Sequence, residues 1–227
     1  MLMCSFNQGT RKYIARIIAK GRHDDDSSIS KKLRFPELSG IALQRYTRAY
    51  GADTYESYKE EFNACSRLKE RPSEMCDVEH RPHHDMESMI WILFDSLTRA
   101  QPKDAKDMCL TRLAVAVIED FDTHVIESGK ESRHEITRFD QVDWEKVLHP
   151  GLSFLAESLA HLSKFLRTDW SLWEDELEED FMHEASKRIL LREMVRIEEH
   201  NIDDKLSDTE RSPPELPLLT AADEAGV

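Results

Sequence analysis

The chain has 227 residues, 40% hydrophobic and 33% charged, with a formal net charge of −14. That length suits one domain with tails, and the composition suits a single core under a heavily charged surface. The negative balance argues against general nucleic-acid binding, because a phosphate backbone would be repelled, and no run approaches the roughly 20 apolar residues of a membrane span.

The opening MLMCSFNQGTRKY is interrupted by polar residues too early for a signal peptide. Cys4, Cys65, Cys76 and Cys109 lie far apart, without the C-x-x-C spacing of a zinc or redox site. They read as reduced thiols, and the chain is expected to be intracellular, cytoplasmic or nuclear.

Tyr13–Lys20 can form one short helix or strand, followed by the solvated run GRHDDDSSISKK. Residues 1–32 are therefore expected to be irregular. Leu33–Tyr50 is mixed, with Pro36 and Gly40 marking turns. Tyr55, Tyr58 and Phe62 fall at i, i+3 and i+7 and predict a surface helix over Tyr55–Lys69. Glu70–His83 reads as a loop, and Pro82 discourages helix at Arg81.

Asp85–Arg99 (DMESMIWILFDSLTR) changes the pattern. Asp85 is a good N-cap residue with Ser88 at N3. Met86, Met89, Ile90, Leu93, Phe94 and Leu97 recur at helical spacing, and Trp91 and Ile92 fill the other side. A helix apolar nearly all round is expected to be buried on all sides.

Met108–Ile126 predicts another helix, with Leu110, Leu113, Val117 and Phe121 on one face. Gly129–Asp143 is polar and reads as a loop. Trp144–Leu148 starts an ordered piece that Pro150–Gly151 breaks, and Leu152–Leu166 is again helical. Trp173–Asp180 is an acidic linker. Phe181–Glu199 predicts a final helix with Ile189, Leu190, Met194 and Ile197 inward. Residues 201–227, rich in Pro and acid, are expected to be a disordered tail. The predicted class is mainly α.

HHDMESMIWILF at 83–94 resembles the helix-F region of the fungal-type protein kinases, where a His, an Asp-x-Glu-Ser and an aromatic-aliphatic run occur together. LHPGLSFLAESLAHLSKFLRTDWSLW at 148–173 looks like a late segment of that family's C-lobe. HEASKRILL at 183–191 looks like its closing run, and Leu38–Arg48 (LSGIALQRYTR) sits where the family has the end of its activation segment. The resemblance spans roughly 33–195. It implies a kinase-like C-lobe helical domain over 33–200, built around a central helix at 85–99, with no N-lobe. By the same match Asp85, Glu87 and Arg188 are scaffold residues. Asp85 would accept hydrogen bonds from catalytic-loop amides. Arg188 would pair with a Glu closing the activation segment, but Arg48 stands at that position, so like charges are expected to repel there.

The parts that phosphoryl transfer requires do not occur in the sequence. There is no G-x-G-x-x-G, no His-Arg-Asp and no Asp-Phe-Gly, and GRHDDD at 21–26 has no Asn at the expected spacing. No residue is assigned a catalytic or nucleotide-binding role. ATP and Mg²⁺ are implied only for a complete kinase domain. The implied protein is a truncated or degenerate kinase relative without phosphotransfer of its own; the alternative is a non-catalytic helical interaction module. Either form is expected to need a protein partner, because a C-lobe alone exposes apolar surface.

His80, His83, His84, Asp85 and Glu87 are the densest set of metal-type ligands. They lack H-E-x-x-H and a recognisable fourth ligand, so no metal is assigned. The carboxylates at 174–180 read as a solvated linker rather than paired acid and base. SPPELP in the tail could meet a proline-reading domain.

Overall fold

A computed structural model describes residues 13, 15, 33–64, 80–103, 105, 109–123, 133–167, 180–202 and 205–211. Among them the protein is mainly helical. The Cys4, Cys65 and Cys76 positions and most of the acidic linker lie outside the described residues, as does most of 1–32.

Helix α1 spans Gly40–Tyr50 and α2 spans Ala52–Ala64. A single residue, Gly51, joins them at φ +93°, and its N–H donates to Thr47 O at 2.9 Å. Glycine meets that backbone angle without the Cβ penalty of other residues.

Helix α3 spans Pro82–Arg99. Pro82 sits at the first helical position, where a missing N–H costs nothing, and Arg81 is extended before it. His84 Nδ1 accepts the Arg81 N–H at 2.9 Å. Asp85 therefore lies inside the first turn and is not the N-cap. Nor is α3 buried on all sides. It packs against helices from later in the chain, but Asp85, Met89, Ile92 and Ser96 form one exposed strip, with Met89 59% and Ile92 40% exposed.

Helix α4 (Arg112–Thr123) buries Ala114, Val117, Ile118 and Phe121. A single-turn α5 (Arg133–Ile136) and α6 (Gln141–Val147) follow. Both fall in or start within the predicted Gly129–Asp143 loop. Asp140 starts α6: its side chain accepts the Asp143 N–H at 3.0 Å, one of the helix's otherwise unsatisfied donors.

A 3₁₀ turn over Pro150–Leu155 leads into α7 (Ala156–Leu166). A Cβ at Gly151 would stand 2.7 Å from Pro102 Cγ, so the close approach there requires glycine. Helix α8 spans Phe181–Glu199. Its buried face carries Phe181, Glu184, Ala185, Arg188, Ile189 and Val195. Leu190 and Met194, expected inward, lie on the opposite side at 37% and 56% exposure.

Helix α3 packs against α4, α7 and α8. Trp91, Phe94, Phe121, Trp144 and Phe165 are fully buried between these elements. Phe94 and Trp144 meet at 4.5 Å between centroids, and Trp91 meets Phe94 edge-on at 5.7 Å. Such pairs contribute about 0.5–1.5 kcal/mol beyond area burial. The Trp144 indole donates to Ser163 Oγ at 3.1 Å, so its one polar atom is satisfied.

Residues 205–211 lie within the stretch expected to be disordered, yet they are fastened to the end of α3. Ser207 N donates to Gln101 O at 2.9 Å and Arg211 N to Arg99 O at 2.8 Å. The buried Arg211 guanidinium donates to Thr98 O and Val147 O, both at 3.2 Å. It thus places a cation at the C-termini of α3 and α6, where helix dipoles favour positive charge. Residues 212–227 lie outside the described residues.

Candidate functional site

Arg188 is fully buried and stands at the centre of a polar junction. Its Nε donates to Glu184 Oε1 at 2.7 Å, one helical turn earlier on α8. Its Nη2 donates to Tyr55 O at 2.9 Å and its Nη1 to Pro36 O at 3.5 Å. The guanidinium lies 4.0 Å from the Tyr55 ring centroid and 4.5 Å from that of Phe35. One side chain thus holds α8, the start of α2 and the segment before α1. The planar fork and the aromatic stacking suit arginine and not lysine.

Glu184 is equally buried and accepts from three donors: Arg188, Lys187 Nζ at 2.6 Å, and the Tyr46 hydroxyl. Burial pushes its carboxyl up, but hydrogen bonds from Lys187, Tyr46 and Arg188 outweigh it and hold the pKa below its ordinary value. Burial first, and then the bond to Glu184, raises the Tyr46 phenol. Lys187 also stands 4.2 Å from the Tyr50 ring centroid. Arg48 is exposed and is not a partner of Arg188. The carboxylate that Arg188 bonds among the described residues is Glu184, on the same helix.

The other two predicted scaffold residues stand apart from this junction. Asp85 is exposed and meets His80 Nε2 at 3.2 Å. Glu87 is buried and accepts the Trp91 indole N–H at 3.0 Å, which keeps a polar pair inside the core of α3. Between them His83 and His84 meet edge to face at 4.1 Å. Burial, then the neighbouring His84, lowers the His83 pKa to about 3, so this imidazole is neutral at physiological pH. No group of three or more His, Cys, Asp or Glu among the described residues is placed to hold a metal ion.

A groove of about 450 Å³ opens on another face, lined by Asp140, Val142, Glu157, His161, Lys164 and Arg192 among others. Nothing in the sequence singles it out, because its walls come from α6, α7 and α8. Glu184 and Tyr46 were equally missed, although Glu184 and Arg188 at i and i+4 are a readable ion-pair spacing.

Comparison with protein-family models, with curated proteins and with solved structures finds no match to this chain. Among the described residues the structure defines a mainly helical protein with an aromatic core around α3 and a buried ion pair between Arg188 and Glu184.

Proposed function

We propose that this chain is a helical interaction module of kinase C-lobe type that does not transfer phosphate itself. The observation that carries the reading is the reach of Arg188 to Pro36 and Tyr55. The resemblance takes Leu38–Arg48 as the end of an activation segment, and Arg188 as the residue that anchors it. The bonds of Arg188 flank that segment on both sides. Asp85, Glu87 and Arg188 all have structural work in this reading: a surface pair, an indole acceptor and a clamp. The module binds a protein partner through its outer helix faces. In this reading ATP and Mg²⁺ are not resident cofactors.

The exposed strip of α3 supports a second reading, a helical bundle unrelated to kinases. A helix around which a lobe is built has to be covered on most faces, and Met89 and Ile92 are open.

The test of the first reading is a phosphotransfer assay with radiolabelled ATP and Mg²⁺, with the chain alone and with a generic acceptor protein. No incorporation above a heat-treated control is expected. Incorporation that scales with the amount of chain would overturn the proposal.

A further inference from the structure

The strap at 205–211 is seated as a peptide ligand would be. Its main chain meets an extended edge that follows α3. Lys103 N donates to Lys205 O at 2.8 Å, Ser207 N to Gln101 O at 2.9 Å and Arg211 N to Arg99 O at 2.8 Å. On the α3 side these groups come from every second residue, 99, 101 and 103, as one edge of an extended chain requires. Pro102 pairs with Leu206 in an antiparallel bridge. The Gln101 amide donates to Thr209 Oγ1 at 2.9 Å. The edge is backed independently of the strap, because Pro102 Cγ stands against Gly151.

Selectivity is concentrated in one side chain. Lys205, Leu206, Asp208, Thr209 and Glu210 are exposed, and Arg211 alone among 205–211 is buried. Its guanidinium enters a pocket whose acceptors are Thr98 O and Val147 O, both at 3.2 Å. The same carbonyls would repel a carboxylate. The contact in cis is also incomplete. Arg211 Nε is buried and meets no acceptor among the described residues, which offsets part of what its two bonds contribute. Beyond this anchor the strap is held mainly by main-chain bonds, which any extended segment can make.

We propose that this edge and pocket form a docking site for an extended peptide of a protein partner, with an arginine in the register of Arg211, and that the chain's own strap occupies the site until such a peptide displaces it. Main-chain pairing supplies affinity, as in strand-addition sites. The buried guanidinium supplies selectivity, as a single anchor in a pocket does. The inference rests on the interaction-module reading and names one of its docking sites. The phosphotransfer assay is blind to this site, so the two fail separately. A strap tethered in cis competes at an effective concentration of ~1 mM or more. A partner therefore displaces it by binding more tightly, or when the strap is weakened.

The experiment adds the synthetic peptide KLSDTER, the sequence of 205–211, to the full chain carrying Arg211→Ala. Amide shifts and hydrogen exchange are read by NMR. The variant empties the pocket and leaves the edge intact. The expected result is a saturable shift and restored protection at Lys103, while Ser207 of the chain stays in fast exchange. The control peptide KLSDTEA should bind at least ~tenfold more weakly, since it lacks the charged donor. Ser207→Pro removes the N–H that bonds Gln101 O without touching the pocket, and it should bind KLSDTER more tightly than the wild-type chain does. In the wild-type chain ~5 mM peptide should accelerate exchange at Ser207 while Lys103 stays protected, because the peptide takes the place of the strap. This last measurement decides even where both variants fail to fold. No saturable change in any of the three chains up to ~5 mM, or equal binding of KLSDTEA, overturns the site. So does binding that leaves Ser207 of the wild-type chain fully protected.

Discussion

Arg188 Nη2 donates to the main-chain carbonyl of Tyr55, 133 residues earlier in the chain, at 2.9 Å. The guanidinium is fully buried, and among the described residues its carboxylate partner is Glu184 on its own helix. Removing one partner of such a pair leaves the other charged and unpaired in a desolvated site. Arg188→Met should therefore destabilise the fold by ~3–5 kcal/mol, read from urea unfolding. Arg188→Lys should recover little, because an ammonium cannot bond Glu184 and Tyr55 together while stacking on aromatic rings. Recovery of most of the stability by lysine would show that charge alone matters.

Acid should act on the buried histidines, among them His83 at the N-terminus of α3. His83 is held near 3 against an unfolded value near 6.5. A base with a depressed folded pKa is neutral in the fold, while the unfolded chain takes up the proton. Its contribution is complete above pH 6.5 and is lost as pH falls towards 3, by at most ~1.4 kcal/mol per pH unit. Glu184 adds to this below its own unfolded value, because its folded pKa is lowered. His80, Arg81, His84 and Glu87 are the charged or titratable groups acting on His83. His83→Gln should reduce the slope of stability between pH 6.5 and 4, measured as urea midpoints at fixed ionic strength, and leave the share of His161, whose burial lowers its pKa to about 4. An unchanged slope would contradict the burial of this imidazole.

The strap at 205–211 should contribute to stability although it carries no helix. Arg211 caps α3 and α6 at once. Arg211→Ala should cost ~1–3 kcal/mol, since two carbonyls lose their donor. Hydrogen exchange at Lys103 and Ser207, whose N–H groups close the contact with 205 and 101, should accelerate in the same variant. Protection that persists would mean that the strap holds without its arginine.

Asp140→Ala should remove the cap of α6 and cost about 1 kcal/mol. Phe94→Ala should cost ~3–5 kcal/mol, because Phe94 touches both Trp91 and Trp144. The contrast between the two variants separates local from core effects in one thermal-unfolding series.

Much of the helical order was legible in the chain. Phe181–Glu199 was predicted with the boundaries it has, and the Trp91–Phe94 run marked the core helix. Pro82 could have set the start of α3, but Asp85 competed as a plausible cap; His84 took the capping role that neither spacing nor propensity singles out. The sequence marks the second half of α6 as ordered from Trp144, but its first turn, Gln141–Asp143, reads as loop because it is polar, although Asp140 and Asp143 carry the reciprocal cap. The inward face of α8 was misplaced because Leu190 and Met194 are the apolar residues there. The buried positions instead include Glu184 and Arg188, which are affordable only because Tyr46, Lys187 and Tyr55 meet them from elsewhere in the fold. Long-range partners of that kind leave no periodic trace. The groove at His161 was illegible for the same reason, since three helices build it.

The central claim, a kinase-like module without nucleotide chemistry, is tested most directly by thermal unfolding of the full chain with increasing ATP and Mg²⁺. A competent site would stabilise the fold by RT ln(1 + [L]/Kd), about 2.7 kcal/mol at one hundred times Kd. The account predicts that the melting temperature with millimolar ATP·Mg²⁺ equals that with matched MgCl₂ and inorganic salt. A saturable rise specific to ATP·Mg²⁺ would contradict it.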